Sequence, residues 1–395
     1  MLLTCVRIVV VLLAAMACAR TVLAQTPGPV PGQLPPAESG PEPTSWKDRM
    51  KEPDQGGGLH FTEHWGVAFG GIKQGSAIAL GPAFSTKFEN GSYLQLKAVF
   101  SIKKFKVLQA RYDTRRFWGD KAVLISRVRW QDAPKLNIWQ LGMESPEARA
   151  DYAERKTEVS TQLRARLTPH VGLGGGFGVE RFSTKAGPID TKGATQLPAF
   201  PDVPGLNAHP WYAHTVVAMA YDTRTSPDYS RSGHVVAAGF HDYHDLKDGQ
   251  TAFQMYEAGG QQLVPMFAER GVLDLLARTW LTDSSGPRSV PFYLMPTLGG
   301  GDYLRAFPTY RFRDREAWYT KAEYRWKVHK MADVAGFYEG GKVAAKVEDL
   351  DFDDMAHSVG LGIRVHSSKA NLFRADVAHG REGWGFRVGF NAAGS

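Results

Sequence analysis

From about residue 60 to residue 391 the chain repeats one pattern, segments of about nine to twelve residues in which apolar and polar side chains alternate. That length and a period of two are what an antiparallel strand needs to cross a bilayer with one face on lipid and the other on a polar interior. The clearest segment is 318–328, where Trp318, Thr320, Ala322, Tyr324, Trp326 and Val328 share one face. Tyr319, Lys321, Glu323, Arg325 and Lys327 share the other. In 158–167, Val159, Thr161, Leu163, Ala165 and Leu167 oppose Glu158, Ser160, Gln162, Arg164 and Arg166. In 358–366, Val359, Leu361, Ile363 and Val365 oppose Ser358, Gly360, Gly362, Arg364 and His366.

A soluble sandwich also alternates, but its apolar faces need a second sheet, and it carries fewer aromatics at strand ends. Here Trp130, Trp280, Trp318, Tyr324, Trp326 and Trp384 lie within or at the edges of segments, where interfacial belts sit. The reading is therefore all-β, a transmembrane antiparallel β-barrel of outer-membrane type. Its expected strands are 77–87, 93–101, 106–113, 120–130, 135–143, 158–168, 171–182 and 212–222. They continue with 232–243, 251–263, 271–281, 317–328, 331–343, 357–366, 371–378 and 384–390, about sixteen in all. With this numbering the odd-to-even connections 144–157, 183–211, 282–316 and 344–356 are long. The even-to-odd connections 102–105, 131–134, 169–170, 329–330 and 367–370 are short, as outer loops and periplasmic turns should be. The last strand, 384–390, ends on alternating aromatics, with a short tail after Phe390.

Composition bounds the alternatives. Residues 1–24 have the layout of a secretory signal: Arg7, an apolar core, then Val22-Leu23-Ala24 before Gln25. Lipidation at Cys18 is the competing processing route. Both cysteines, Cys5 and Cys18, fall in this leader, so the remainder has no thiol for disulfides or thiolate metal sites. Removing Arg7 and Arg20 from 47 basic residues leaves 45 against 40 acidic ones, a mild and dispersed surplus that does not point to nucleic acid. Residues 25–58 are rich in proline, glycine and charge and read as a disordered tether, with 59–395 as the barrel.

Motifs for chemistry are sparse. His241, Asp242, His244 and Asp245 cluster in 239–249, but residues three apart on a strand point to opposite faces, which argues against shared metal ligation. A G-x-S-x-G nucleophile elbow is absent. The glycine runs at 174–176 and 299–301 lack the Lys-Ser/Thr of phosphate loops. No catalytic residue, metal or cofactor is assigned.

One stretch breaks the alternation. Residues 298–313, LGGGDYLRAFPTYRFR, place three consecutive glycines and a proline around Arg305, which sits in the apolar patch Leu304–Arg305–Ala306–Phe307 and asks for an acidic or π partner. With its flanks, PFYLMPTLGGGDYLRAFPTYRFRDR resembles the sixth outer loop of the BamA/TamA-type outer-membrane family, also called the bacterial surface-antigen family. That family's hallmark is an Arg-Gly-aromatic tip folded back into the lumen, matched here by Arg305, Ala306 and Phe307, with alanine in place of glycine. GFYEGGKVA resembles the family's Phe-x-Asp-x-Gly strand motif, matched by Phe337, Glu339 and Gly341, with glutamate in place of aspartate. The segment 349–384 is similar to the family's last strands, and WGVAFGGIKQGSAIALGPAF is similar more weakly.

The resemblance implies that Arg305 docks on Glu339 and Phe337, a lock that holds a long loop in the lumen and narrows the pore. It implies residence in the outer membrane, with the lipid bilayer as a partner, and a role as a pore or as a helper in outer-membrane protein assembly or translocation. Full family members carry periplasmic POTRA modules that receive clients. The 25–58 segment has no room for one, so a separate periplasmic partner or client protein is the expectation. The rival readings are a passive structural or surface-antigen barrel and, second, a barrel-embedded lipid hydrolase.

Overall fold

The computed structural model describes residues 58–390 apart from 71, 74–75, 77, 146–148, 191–201, 225–228, 248–250, 269, 285–289 and 367–370. The expected signal and nearly all of the tether lie outside the described residues, as does the tail 391–395.

The strands in chain order begin with β1 (Gly58–His60), β2 (Trp65–Gly70), β3 (Ala79–Lys87), β4 (Tyr93–Ser101) and β5 (Lys106–Asp113). They continue with β6 (Ala122–Ile138), β7 (Arg149–Arg166), β8 (Val171–Asp190), β9 (Trp211–Asp222) and β10 (Gly233–Asp245). Then come β11 (Phe253–Met266), β12 (Gly271–Ser284), and two short strands, β13 (Thr297–Leu298) and β14 (Phe312–Arg313). The last five are β15 (Glu316–His329), β16 (Ala332–Ala344), β17 (Ala356–His366), β18 (Asn371–Gly380) and β19 (Gly383–Phe390). From β2 to β12 and from β15 to β19 each strand pairs antiparallel with its chain neighbour, and β12 pairs with β15 across the long connection. This meander supplies sixteen of the seventeen strands of the main sheet, and β1 is the seventeenth, paired along β2.

The outward face is apolar. Leu96, Leu108, Val159, Phe177, Met219, Leu361, Ile363 and Phe386 are all large and exposed. The inward face buries Glu154, Glu180, Asp274, Glu323, Glu339, Arg364 and Asp376. A water-soluble chain does the reverse, whereas a barrel with lipid outside and a polar lumen does this. The fold is an outer-membrane-type β-barrel.

Sixteen is the expected count, but two individual expectations were wrong and offset each other. The glycine-rich segment of β2 alternates too weakly to stand out, and it forms a strand. Segments 120–130 and 135–143 are one strand, β6, because Pro134 sits beside a register shift between Ala133 and Leu136 instead of ending the strand. Proline cannot donate to a ladder, so inside sheets it is confined to edges and bulges of this kind. The expected turn at 131–134 is therefore inside the wall, and 102–105 joins β4 to β5 on the same end as the long connections. From β7 onward the two errors cancel. The connections 191–210, 285–315 and 345–355 leave one end, and 167–170, 267–270, 330–331 and 367–370 leave the other.

Candidate functional site: a loop folded into the lumen

The connection 285–315 is the longest of all and joins β12 to β15. Its described part is anchored twice. Around the 3-10 turn Phe292–Leu294, Val290, Phe292 and Met295 join a core with Leu136 and Ile138 of β6, Ala150 and Tyr152 of β7, and Phe253 of β11. The Phe292 ring meets Tyr152 edge-on at 4.8 Å. Further on, Leu298, Leu304, Phe307 and Phe312 pack with Ala317 and Tyr319 of β15, Phe337 and Val343 of β16, Ala356 of β17 and Ala378 of β18. One loop thus touches opposite sectors of the wall.

Between these anchors β13 and β14 pair, closing 299–311 into a hairpin tip. The reversal needs left-handed backbone at Gly299 (φ 105°) and Gly300 (φ 116°), which only glycine adopts without strain. The other positive-φ residues of the tip are Leu304 and Tyr310. Ala306 is not among them, so an alanine at this position meets no backbone objection.

Arg305 is the centre of the tip. Its backbone N–H donates to Glu339 Oε2 at 2.7 Å, and its Nε donates to Glu339 Oε1 at 2.9 Å. Its Nη1 donates to Glu323 Oε2 at 3.1 Å and lies 3.3 Å from Asp376 Oδ2. The guanidinium carbon sits 3.4 Å from the centroid of the Phe337 ring, a cation–π contact. Glu339 also accepts from Tyr319 Oη at 2.6 Å and from Ser358 Oγ at 2.8 Å. Arg364 completes the cluster, donating to Glu323 at 2.8 Å and Asp376 at 2.6 Å. Burial alone would favour loss of the Arg305 proton, but Glu339, Glu323 and Asp376 outweigh it and push its pKa well above the ordinary value. Two guanidiniums thus face three carboxylates, and the Arg305 side chain is only 3% exposed.

The matched positions around it fall into place sterically. Phe307 is fully buried and meets Phe312 edge-on at 5.0 Å, and its carbonyl accepts from Gly300 N–H at 3.1 Å and from Arg387. A Cβ on Gly341 would lie 2.9 Å from Leu298 Cδ1 and 2.9 Å from the Trp318 carbonyl. A Cβ on Gly385 would lie 2.5 Å from the Arg305 carbonyl. Both glycines are there to let the tip press against the wall. Other cations hold the rest of the loop: Arg374 donates to the Gly301 carbonyl at 2.6 Å, Arg311 to the Ser145 carbonyl at 2.7 Å, and Arg278 to Tyr303 Oη at 2.8 Å.

Sequence reading named one acid for Arg305, and the structure gives three. Glu323, Arg364 and Asp376 all stand at inward positions of the alternation, so an excess of charge on one strip of inner face was visible. Which strands' strips converge depends on register, which periodicity does not supply. The histidine cluster is split as its spacing requires. His241 faces inward, its Nδ1 3.1 Å from His214 Nε2, whereas His244 is exposed on the other face.

No protein-family model and no curated protein sequence matches the chain. Solved structures do. The chain is similar to BamA from Haemophilus ducreyi lacking POTRA domains 1–3, with a TM-score of 0.59 and 12% identity over 82% of this chain and 68% of that one. The fold is that of the BamA-type barrel. It is also similar to CdiB from Acinetobacter baumannii (TM-score 0.52, 10% identity, 83% of this chain) and CdiB from Escherichia coli (TM-score 0.52, 11% identity, 85% of this chain). The chain spans 59% and 62% of the length of those two CdiB chains.

Proposed function

We propose that this protein resides in the outer membrane as a plugged barrel, working as a pore or as a helper in outer-membrane protein assembly or translocation. The observation that carries the reading is Arg305, drawn from a connection at the long-loop end into a buried contact with three wall carboxylates. The likeness of the fold to BamA and CdiB supports the same class of role. In this reading the loop fills the lumen, its tip is locked on β15–β18, and release of the tip widens the path. A separate periplasmic partner or a client protein supplies the occasion for release.

The test is a comparison of the wild type with Arg305→Ala in planar bilayers, alongside heat-modifiable migration on unheated gels. The variant is expected to conduct in larger or more frequent steps and to unfold at lower temperature. Equal conductance and equal heat stability would sink the lock. A liposome insertion assay with a small barrel substrate then separates helper from pore.

A further inference from the structure

Away from the loop tip the inner face of β4–β7 carries a different charge pattern. Lys97 of β4 is paired in register with Gln109 of β5, and Gln109 with Arg129 of β6. One row further along, Arg111 is paired with Arg127, and Arg164 of β7 stands beyond them across from Val123. Five cations thus occupy one patch of lumen wall. The acids available to them are few. Arg111 takes Asp113 at 2.7 Å and Arg127 takes Glu158 at 2.8 Å, while Lys97 and Arg129 form no ion pair among the described residues. Arg129 donates to the neutral Gln131 at 2.9 Å. Lys97 has no hydrogen-bond or ion-pair partner among the described residues. Arg129, Arg111 and Arg127 all lie close enough to repel it, and Arg164, which donates to Gln162 at 3.4 Å, is repelled by Arg111 and Arg127 and attracted by Asp113.

The patch is also reachable. The Arg111 and Arg127 side chains are 23% and 34% exposed, against 3% for Arg305. Beside Arg127 a cavity of about 220 Å³ opens along β7–β10, bounded by Lys156, Glu158, Gly176, Gly178 and His214. Among the described residues the loop 290–315 makes no hydrogen bond or ion pair with Lys97, Arg111, Arg127 or Arg129. Charges of one sign on a low-dielectric wall concentrate counter-ions, and Arg/Lys clusters select anions and phosphates in pores.

We propose that the Lys97–Arg111–Arg127–Arg129–Arg164 strip is a binding site for a soluble phosphate-class oxyanion inside the lumen. Guanidiniums present paired N–H donors that match phosphate oxygens, and Lys97 adds a point charge. The side chains face the lumen, so bilayer headgroups do not reach them and the ligand comes from solution. The site does not depend on the loop lock, since none of its residues belongs to it.

The test is isothermal titration of the full chain in neutral-detergent micelles with pyrophosphate at low ionic strength. Saturable binding is expected, weakened by added salt as screening requires. The Lys97→Gln/Arg129→Gln double variant should weaken it by on the order of tenfold or more, the loss of one or two charge-assisted contacts. The second variant is Gln109→Glu, which adds a carboxylate between Lys97 and Arg129 without removing any contact seen here, and it should weaken binding as well. Migration on unheated gels establishes that each variant is folded. Absence of saturable binding to the wild type, or equal affinity in both variants, overturns the proposal. So does competition by an anionic phospholipid added to the micelles, which would place the phosphate site on the outer surface.

Discussion

Two sectors of the same wall, β15–β18 and β4–β7, obey the same alternation and yet have opposite interiors. On β15–β18 the charges around Arg305, namely Glu323, Glu339, Arg364 and Asp376, are dry, mutually bonded and packed beside Phe307, Leu304 and Phe337. On β4–β7 the inward charges are mostly of one sign and partly open to solvent. Alternation sets only which side chains face inward. Whether they become a lock or a charged surface depends on what the chain lays over them. The loop lies over the first sector at its tip. Among the described residues it reaches β6 and β7 of the second sector near their long-loop ends, through Phe292 and Tyr152.

The sharpest way to break this comparison is at Glu339. Its two oxygens accept the Arg305 N–H, the Arg305 guanidinium, Tyr319 and Ser358. Glu339→Ala leaves a buried arginine short of its main partner, and breaking a buried pair from one side costs about 3–5 kcal/mol. The expected outcome is a large fall in the denaturation midpoint, measured by urea titration in micelles. A double-mutant cycle with Arg305→Ala should show strong coupling, because the second loss adds little once the first is made. A change below about 1 kcal/mol would mean that the tip is held by packing alone.

How far this contrast was legible beforehand differs between fold and site. The class followed from period and segment length, since those depend on residue type alone. Strand limits were less legible: Pro134 looked like a turn because a bulge is a matter of tertiary pairing, and β2 was too short and glycine-rich to show a period. At the site, Arg305 stood out because a charge in an apolar patch must find a partner. Glu323 and Asp376 did not stand out, because each is one more inward polar residue until register brings β15 and β18 together around the same guanidinium. The oxyanion strip was hidden for the same reason. Lys97, Arg111, Arg127, Arg129 and Arg164 lie on four strands, and only the ladder registers make them neighbours.

An intermediate effect is expected from steric closure of the dry sector. In Gly385→Ala the new methyl meets the Arg305 carbonyl at 2.5 Å, and a backbone atom yields less easily than a side-chain end. Overpacking of this kind costs about 1–3 kcal/mol. The tip should be pushed off β19 without loss of any charge, so conductance should rise while the fall in unfolding temperature stays smaller than for Glu339→Ala. Wild-type conductance in this variant would show that the tip shifts as a unit and keeps the lumen closed.

The smallest effect belongs to the other sector. Lys97→Gln removes one of five cations from a wall where nothing described here pairs with it and three arginines repel it. Truncating a charge that has no partner leaves no orphaned acceptor, and relief of like-charge repulsion opposes the slight loss of stem packing. Stability should therefore stay within about 0.5 kcal/mol of wild type, measured by the same urea titration, while pyrophosphate affinity falls. A loss comparable to that of Glu339→Ala would mean that Lys97 is structurally paired. The two sectors would then differ in packing and not in kind.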